Sequence, residues 1–573
     1  MSESHRLMRD PEPGQPGYPG NPGFPGFPDY TRYSGATQFE GHSFESDRPS
    51  QSEKDSTRNG TIAPDSTQEL DWDGEKDPEN PMNWSMWKKV VHTAIPAIYT
   101  FGLTTGISTL VAGLPGIMQQ FGETSRNVAL LPITLYTIGF VFGPCIAAPI
   151  SDLHGRLAVY KVNIIILIIC NAIAVASDNF AALVIFRFFA SLGGSGVMAV
   201  GAGTMSDLWP PSQVSRVGVA YLLAPFLGPS MGPLIGSYAI EQYGDWKWGI
   251  WVVLCILTPV AIAIFFSSET SKKQILAARA KRLGKHPKSQ GIVTEMQKIG
   301  KAMLKPWHMC IFEPVSLVLG LYTGFSFAMI FSFFGSYTYV YSTVYQFDAR
   351  QIGLCYIGLI IGILLGLVTF AVFDATIYQK QVARTGDRVA PEHRLYAALV
   401  GSILVPIGLF WYAWAPDASV HWIAPVMAGV PFAWGTMASF LSCLAYLASA
   451  FKPADLSSAV AANGIFRFAL GAAFPNFVFQ MYQEMGINWA GSVFAFISLA
   501  FIPVPWLFFW KGKMLRQKSR YNMTMQSCLV PCDEPHHQNL IHSEEPRLPK
   551  IDQGQIPLYV CSRQGMHQLT IPC

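Results

Sequence analysis

The sequence predicts an all-α integral membrane protein with twelve transmembrane helices arranged as two six-helix bundles. Half of the residues are hydrophobic and only 13% are charged, whereas soluble domains carry about 25% charged residues. Surface that faces hydrocarbon needs no charge, and a charge placed there is costly. Twelve apolar segments follow one another along the chain, each long enough for the ~20 residues that a spanning helix requires. A long basic segment after the sixth divides them into two equal groups.

Residues 1–86 are predicted to form a disordered cytosolic tail, because they are polar, rich in Gly, Pro and Ser, and without apolar periodicity. Glycine recurs at every third residue from Gly14 to Gly26, but so short a run cannot hold a collagen triple helix, and a flexible polyproline-like segment is expected. No apolar stretch of a signal peptide follows the N-terminal charges. The tail ends in DPENPMNWSMWKK, where Trp84 and Trp87 are placed as interfacial anchors beside a cytosolic lysine pair.

The apolar segments set the predicted spans and the domain boundaries. The predicted spans are residues 91–118, 127–150, 158–177, 181–205, 216–240, 247–267, 311–333, 351–373, 395–414, 421–448, 457–482 and 488–510. They give a first bundle at 87–267, a cytosolic central loop at 268–308, a second bundle at 309–511 and a cytosolic C-terminal tail at 512–573. Residues 522–573 lack apolar periodicity, so this part of the tail is expected to be disordered.

The basic residues predict the orientation of the chain in the membrane. Loops that follow even-numbered spans carry most of them: Arg156, Lys161, Arg216, Lys272, Lys273, Arg279, Lys281, Arg282, Lys285, Lys288, Lys380, Arg384, Arg388, Arg394 and Lys452. The opposite loops hold only Arg126, Lys247 and Arg350. By the positive-inside rule, both termini and the central loop are cytosolic. The sequons at Asn59, Asn83 and Asn522 then face the cytosol and are expected to stay unmodified.

Several functional classes are excluded or disfavoured by what the sequence does not contain. No G-x-x-x-x-G-K-[ST] phosphate cradle occurs, which excludes a P-loop ATPase. The net charge of +3 is too small to indicate a nucleic-acid partner. The ten cysteines are scattered, and the spacing of Cys528, Cys532, His536 and His537 matches no standard metal site. An enzyme, a bound metal and a cofactor are therefore not expected.

Polar residues at membrane depth are candidates for function. Arg187 lies in span four, Arg467 in span eleven, and Glu313 at the start of span seven. A structural alternative for each is snorkelling or pairing at a helix end. Span seven is rich in aromatic residues, and Tyr322 and Phe325 on it are candidates for a cavity that suits flat, apolar or cationic compounds. Asn476 in span eleven is a further cavity candidate.

Span five contains the pattern GPSMGPLIG. Its glycines, Gly228, Gly232 and Gly236, recur at every fourth residue, which lines one helix face with small side chains and allows close helix contact. Pro229 and Pro233 remove backbone donors and are expected to bend the helix.

The loop between spans two and three reads GPCIAAPISDLHGR, with Asp152, Gly155 and Arg156 at a helix boundary. Asp152 is placed to complement the dipole of span three, and Arg156 to pair with an acid across the two halves. Asp374 follows span eight roughly as Asp152 follows span two, but no Gly-Arg pair comes after it.

Taken together and in this order, the motifs resemble those of the major facilitator superfamily, and within it the fungal twelve-helix drug:proton antiporters that include polyamine and multidrug exporters. The resemblance covers about residues 77–520. The motifs that carry it are DPENPMNWS, GPCIAAPISDLHGR, RFFASLGGSG in span four and GPSMGPLIG in span five, with further echoes in SDLWP, DWKWGIW, SSET, FEPVSL and PEHRL.

The resemblance implies the major facilitator fold and assigns roles where residues match. Gly228, Pro229, Gly232, Pro233 and Gly236 fall on the antiporter motif, which is thought to set helix bending and to block leak. Arg187 falls on a motif arginine implicated in proton coupling. The loop matches at Asp152, Gly155 and Arg156 but departs from the family pattern at Ala148, Leu153 and Leu157, which favours gating over proton binding there.

The expected function is proton-coupled export of small organic compounds, such as drugs, toxins, polyamines or secondary metabolites, across a fungal plasma membrane. The mechanism expected is alternating access by a monomer, with the proton gradient as the energy source. A proton-coupled nutrient uptake symporter and a non-transporting membrane sensor remain alternatives. The glycine-proline motif of span five argues against the symporter, and the direction of flux would settle the choice. The sequence does not identify the substrate.

Overall fold

The computed structural model describes residues 71–284, 292–385, 389–517, 519, 558–562 and 565–569. Several predictions fall outside these residues: the glycine repeat at Gly14–Gly26, the sequons at Asn59 and Asn522, and the cysteines and histidines of the C-terminal tail.

Within the described residues, twelve helices are long and apolar enough to cross a membrane. They are α1 (Met86–Ser108), α2 (Leu131–His154), α3 (Arg156–Ala176), α4 (Phe180–Leu208), α5 (Val217–Tyr243), α6 (Trp248–Phe265), α7 (Pro314–Thr343), α8 (Ala349–Arg384), α9 (Tyr396–Trp414), α10 (Ile423–Ala450), α11 (Asp455–Met485) and α12 (Ile487–Gln517). The predicted count is confirmed. The bounds of three helices differ by ten residues or more from the prediction. α1 ends at Ser108 where the sequence predicted an end near residue 118, α7 continues to Thr343 beyond the predicted 333, and α8 continues to Arg384 beyond the predicted 373.

Breaks divide some of the long spans, and shorter helices connect them. α4 consists of Phe180–Gly194 and Val197–Leu208, α8 of Ala349–Cys355, Ile357–Phe373, a π-helical turn Asp374–Tyr378 and Gln379–Thr385, and α12 of Ile487–Phe501 and Pro503–Gln517. The connecting helices are Pro81–Asn83, Leu114–Phe121, Arg126–Ala129, Lys272–Arg282, Ile292–Phe312 and Pro391–Arg394. A further helix, Pro211–Tyr221, includes the start of α5, which continues after a break as Ala224–Tyr243. The predicted central loop is thus largely helical.

A short antiparallel hairpin lies in the C-terminal tail. Strand β1 (Leu558–Ser562) pairs with β2 (Gly565–Leu569), and Leu558 is the partner of Leu569. This differs from the disordered tail predicted for these residues. The run Leu-Tyr-Val in β1 has the aromatic and β-branched character that suits a strand.

Helix packing repeats after every six spans. In the first half (α1–α6), α1 packs on α5, α2 on α4 and α3 on α6. In the second half (α7–α12), the same partners recur as α7 with α11, α8 with α10 and α9 with α12. The two halves meet along α2 with α11 and α5 with α8, and a shift of six spans converts one of these contacts into the other. This repetition is the architecture of a two-bundle transporter fold.

The outer faces of the spans carry exposed apolar side chains. Ile169, Ile262, Val368, Ile407 and Phe496 are each at least half exposed. So many large apolar side chains on a surface would be a liability in water, whereas hydrocarbon solvates them. By contrast, α7 and α10 are the most buried spans, which places them nearest the centre of the bundle.

Candidate functional site

Arg187 of α4 is completely buried and joins four helices of the first half. Its Nη1 donates to Asn171 Oδ1 on α3 at 3.2 Å, and its Nη2 donates to the carbonyl oxygen of Gly106 on α1. The guanidinium carbon lies 3.8 Å from the ring centroid of Tyr136 on α2. The Tyr136 hydroxyl in turn donates to the Leu103 carbonyl at 3.0 Å. The buried arginine therefore connects α1, α2, α3 and α4, and all of its partners are neutral. We call this set of contacts the buried tie.

The glycines of α5 face α1 at very short range. A Cβ placed at Gly228 would lie 2.0 Å from Thr104 Oγ1, and one at Gly232 would lie 1.9 Å from Ser108 Oγ. A Cβ at Gly236 would lie 2.3 Å from the Thr109 carbonyl oxygen. No side chain larger than hydrogen fits at these positions while the two helices keep this distance. The predicted close contact is present, and its partner is α1.

The prolines of α5 release carbonyl groups that α1 engages. Helix α5 continues through Pro229 and Pro233. Because Pro233 has no N–H, it cannot bond the carbonyl four residues earlier. The Ser108 hydroxyl donates to that same oxygen, on Pro229, at 2.9 Å. The pairing of α1 with α5 thus combines steric fit with a polar contact that the proline makes possible.

A second group of contacts lies where α2 turns into α3; we call this side of the bundle the charged end. Gly155 adopts φ +93°, and a Cβ there would lie 2.6 Å from Glu269 Oε2. Glu269, from the segment after α6, accepts hydrogen bonds from the N–H groups of Arg156 at 2.9 Å and Leu157 at 3.0 Å. A carboxylate at these first N–H groups complements the dipole of α3. The role proposed for Asp152 therefore belongs to Glu269.

Arg156 pairs within its own half, and the pairing across halves suggested by the sequence is not what the structure shows. Its Nη1 lies 2.8 Å from Asp152 Oδ1, and its Nε lies 3.3 Å from Asp207 Oδ2 at the end of α4. Nη1 also donates to Ser151 Oγ at 2.6 Å. The Asp152 side chain is 65% exposed whereas that of Asp207 is 21% exposed. Arg156 thus fastens α2, α3 and α4 together at the charged end.

The second half has equivalent salt bridges at its helix boundaries, which the sequence motif did not indicate. Asp374 pairs with Arg394, which lies twenty residues later and just before α9, at 2.5 Å. The Arg394 guanidinium also lies 3.5 Å from the ring centroid of Tyr378. Glu392 pairs with Arg516 near the end of α12. The base that Asp374 lacks in its own motif is supplied from the next helix boundary.

The segment before α1 binds the helix that follows α6. Arg279 of the helix Lys272–Arg282 contacts Asp73 at 3.1 Å, Asp77 at 2.8 Å and Glu79 at 2.8 Å. We call this set the N-terminal clamp. Asp77 is buried, and the hydrogen bond from Arg279 holds the pKa of its carboxyl well below its ordinary value. The DPENP motif therefore has a definite partner in the central loop.

Aromatic rings from both halves meet at the centre of the bundle. This aromatic centre consists of Phe140 of α2, Phe226 of α5, Phe327 of α7, Phe440 of α10 and Phe468 of α11. Phe226 lies 5.2 Å from Phe327 and 4.6 Å from Phe440, and Phe140 stacks on Phe468 at 4.9 Å, between ring centroids. Each of these three contacts joins the first half to the second.

Arg467 of α11 lies against the aromatic centre. Only 6% of this residue is exposed. Its guanidinium carbon is 4.6 Å from the ring centroid of Phe440 and 5.3 Å from those of Phe327 and Phe468. Its Nε and Nη1 atoms are buried without a hydrogen-bond partner. The arginine is thus surrounded by the faces of rings.

The remaining predicted site residues lie elsewhere. The Tyr322 hydroxyl donates to Ser439 Oγ on α10 at 2.9 Å, and the Phe325 ring lies 5.3 Å from that of Phe501 on α12. Both therefore pack inside the second half, not between the halves. Asn476 does lie between halves, since its Oδ1 accepts from Thr134 Oγ1 on α2 at 3.1 Å. Glu313 precedes α7 and is only 1% exposed, which does not fit a snorkelling side chain.

Contacts between the halves also occur at the far end, the side of the bundle opposite the charged end. The Arg126 guanidinium lies 3.7 Å from the ring centroid of Phe479, and Arg350 Nε lies 3.5 Å from Glu241 Oε2. A Cβ at Gly353 of α8 would lie 2.1 Å from Ser237 Oγ of α5. The halves are therefore in direct polar and steric contact on this side.

The described residues do not form the common kinds of enzyme site that the sequence motifs could indicate. Among the described residues, no three His, Cys, Asp or Glu side chains are grouped so that they could hold a metal ion. The sequence Gly228-Pro229-Ser230-Met231-Gly232 matches the G-x-S-x-G pattern of hydrolases. However, Ser230 lies inside α5 and its hydroxyl donates to the Phe226 carbonyl at 3.0 Å, whereas a nucleophile elbow needs a turn between a strand and a helix.

Residues 97–475 match the sequence profile described as Major Facilitator Superfamily. Among similar proteins, "MFS transporter cpaT" of Aspergillus oryzae is 35% identical over 470 residues, covering 80% of this chain and 94% of the relative. "Polyamine transporter 4" of Saccharomyces cerevisiae is 32% identical and covers 83% of this chain and 77% of the relative. "Efflux pump radE" of Floropilus chiversii is 31% identical and covers 80% of this chain and 86% of the relative.

Solved structures of similar fold include a D-xylose-proton symporter, with a TM-score of 0.53 at 14% identity, covering 74% of this chain and 97% of that one. The xylose transporter XylE from E. coli, in a partially occluded inward open conformation, gives a TM-score of 0.52 at 14% identity, covering 74% of this chain and 99% of that one. At this level of identity the likeness concerns the fold.

Proposed function

The chain belongs to the major facilitator superfamily, and from this premise we propose that it is a proton-coupled antiporter that exports small organic compounds across a fungal plasma membrane. The protein is a multi-pass membrane transporter and not an enzyme. The substrate classes proposed are drugs, toxins, polyamines and secondary metabolites. The energy source is the proton gradient, and no cofactor takes part.

The observation that carries the proposal is the way in which the two halves meet. Only two pairs of spans, α2 with α11 and α5 with α8, make extensive contact between halves among the described residues. The aromatic centre lies between these pairs, with the salt bridges of the charged end on one side and the far-end contacts on the other. Two bundles joined by paired helices around a central site are suited to rocking and alternating access.

The direction of transport is proposed from the contact between α1 and α5. The Gly228, Gly232 and Gly236 face fixes α1 against α5 without space for water or a side chain, which supports the low leak required of an exporter that works against a gradient. Relatives named as an efflux pump and as a polyamine transporter add support. An uptake symporter of the same fold would move substrate the opposite way.

The orientation is proposed from charge. The charged end carries the basic residues of the even-numbered loops, including Arg156, Arg279 and Arg394, and positively charged loops are retained in the cytosol. The charged end is then cytosolic, as are both termini. Alternating access on this orientation requires the far-end contacts to open when substrate leaves the cell.

Arg187 is proposed to act in coupling as a positioning residue. It connects α1, α2, α3 and α4 through Gly106, Tyr136 and Asn171, and no carboxylate is among these contacts. A proton-dependent movement of one of these helices would strain the tie and be transmitted to the other three. This assignment does not require the arginine itself to gain or lose a proton.

The test uses inside-out plasma-membrane vesicles from cells that produce the full chain. Their lumen corresponds to the cell exterior and is made acidic, and fluorescein, rhodamine 123 and a dansylated polyamine are supplied outside. The proposal predicts protonophore-sensitive accumulation of at least one probe in the lumen. No accumulation of any probe, or accumulation that a protonophore leaves unchanged, contradicts it. Proton-coupled release from preloaded vesicles would instead identify a symporter.

A further inference from the structure

We infer that Arg467 and the aromatic centre bind an organic anion with a flat aromatic body, such as an aromatic carboxylate or phenolate. The inference rests on the proposed transport function and narrows its substrate class. The site is formed by Arg467 with Phe327, Phe440 and Phe468 of the second half, and it is closed by Phe140 and Phe226 of the first half.

The first step of the argument is the distribution of charge along the spans. Arg467 lies twelve residues from the nearer end of α11. The acidic residues within the spans lie at their ends: Asp152, Asp207, Glu241, Asp455 and Glu484 are within two residues of a span terminus. Asp374 follows the apolar helix Ile357–Phe373 and is already paired with Arg394. Among the described residues, the middle of the spans therefore holds the positive charge of Arg467 and no carboxylate to neutralise it.

The second step is the difference between the two buried arginines. Arg187 uses Nη1 and Nη2 in hydrogen bonds, to Asn171 and Gly106, and leaves only Nε without a partner. Arg467 leaves Nε and Nη1 without a partner while only 6% exposed. A buried charged group without partners is costly. A guanidinium N–H without a partner is a strong donor to a carboxylate or phenolate oxygen, so an anionic ligand would supply a missing contact.

The third step is the nature of the surroundings. The rings of Phe327, Phe440 and Phe468 lie around the guanidinium at 4.6–5.3 Å. Aromatic faces and edges pack well against flat rings, so the apolar body of a ligand finds partners beside the charge. These same rings touch Phe226 and Phe140 across the boundary between halves. A ligand that separates the rings would contact both halves at once, as a transported substrate must.

The same features disfavour a polyamine. A polycation at this position would stand beside a fixed positive charge, without a carboxylate to accept its ammonium groups. Cation–π contacts with the rings would offset part of this repulsion, but Arg467 already occupies the faces of three of them. The site therefore prefers an anion over a cation of the same size and shape.

The experiment compares two dyes that share a flat three-ring core but differ in charge: fluorescein, an anion, and rhodamine 123, a cation. The purified full chain is tested for binding of each dye by fluorescence polarisation, and proteoliposomes with an imposed pH gradient are tested for transport. We expect binding and transport of fluorescein in preference to rhodamine 123. We expect Arg467→Gln to weaken fluorescein binding about tenfold or more, as for the loss of a charge-assisted contact. Arg467→Lys, which keeps the positive charge but not the planar guanidinium group, should retain part of the binding.

Arg384→Gln is the matched control, since Arg384 is exposed at the end of α8 and its loss removes the same charge. Melting temperatures confirm that each variant is folded. Rhodamine 123 transport without fluorescein binding would overturn the anion site while leaving the transport function intact. Equal fluorescein binding by wild type and Arg467→Gln, or no binding of either dye, would also overturn it. Arg467-dependent fluorescein binding without transport of either dye would support the site and contradict the exporter.

Discussion

The Ser108 hydroxyl donates a hydrogen bond to the carbonyl oxygen of Pro229 at 2.9 Å, across the interface between α1 and α5. Pro233 makes that oxygen available because it has no N–H with which to complete the bond within its own helix. The glycines of α5 thus allow the close approach of α1, and a proline of α5 provides the carbonyl group that α1 binds. We propose that this interface holds α1 in place while the halves move.

Substituting Gly232 tests the packing between α1 and α5. The added methyl group of Gly232→Ala would lie 1.9 Å from Ser108 Oγ and 2.8 Å from the Thr105 carbonyl oxygen, so the helices must separate. We expect a loss of stability of about 1–3 kcal/mol, together with proton leak through reconstituted protein. Gly218→Ala is the control, because nothing lies within 4 Å of a Cβ there. A Gly232→Ala protein with the wild-type melting temperature and no leak would contradict this account.

Replacing Arg187 tests the buried tie of the first half. Arg187→Ala should abolish transport while the protein still reaches the membrane, and Arg187→Lys should be almost as impaired. Lysine cannot stack on Tyr136 and bond both Asn171 and Gly106 with one planar group. The measurement is the initial rate of proton-driven accumulation in vesicles, normalised to the amount of protein. Transport by Arg187→Ala at the normal rate would remove this arginine from the mechanism.

Asp152 and Asp207 both pair with Arg156, and we expect their substitution to lower the transport rate by different amounts. The Asp152 side chain is 65% exposed and that of Asp207 is 21% exposed, and exposed ion pairs contribute only about 0–1 kcal/mol. Asp152→Asn should therefore lower the transport rate less than about fivefold, and Asp207→Asn by about tenfold or more. The initial transport rates of the two variants, measured side by side, check the order. The reverse order would show that burial does not decide which carboxylate holds Arg156.

The N-terminal clamp is expected to persist at acidic pH. Because Arg279 lowers the pKa of Asp77, the carboxylate stabilises the clamp at every pH above its ordinary pKa of 3.8, and this stabilisation is lost only as the pH falls further. Hydrogen exchange of residues 71–83 should thus be slow at both pH 7 and pH 5, after correction for the intrinsic exchange rate. Arg279→Gln should accelerate it, whereas Arg282→Gln, which removes a single 3.3 Å contact, should not. Equal exchange in wild type and Arg279→Gln would show that the clamp does not hold this segment.

The fold could be predicted from the sequence because the membrane requires spanning helices of a certain length and hydropathy. Both properties can be judged from a segment alone, so the twelve spans can be recognised without knowledge of tertiary contacts. The glycine face of α5 was predictable for a similar reason, since a spacing of four residues places Gly228, Gly232 and Gly236 on one side of a helix. The helix that it faces, α1, could not be inferred from that spacing.

The central site could not be predicted because it depends on contacts between distant segments. α7 is apolar on all sides, so periodicity does not indicate which of its rings faces the other half. The sequence favours Tyr322 and Phe325, whereas the ring at the boundary is that of Phe327. The partner of Asp374 is Arg394, twenty residues later, and Glu269 lies more than a hundred residues from the α3 N-terminus that it caps. Arg187 and Arg467 could be identified from the sequence because a charge in an apolar span is unusual in any context, and Asn476 could be identified as a polar residue in span eleven.

The most direct test of the account is proton-driven movement of a substrate out of the cytosolic compartment. In inside-out vesicles with an acidic lumen, the account predicts that fluorescein accumulates in the lumen, that a protonophore abolishes the accumulation, and that Arg187→Ala vesicles do not accumulate it. Fluorescein and the other probes remaining outside vesicles that contain folded protein, or entering regardless of the pH gradient, would contradict it.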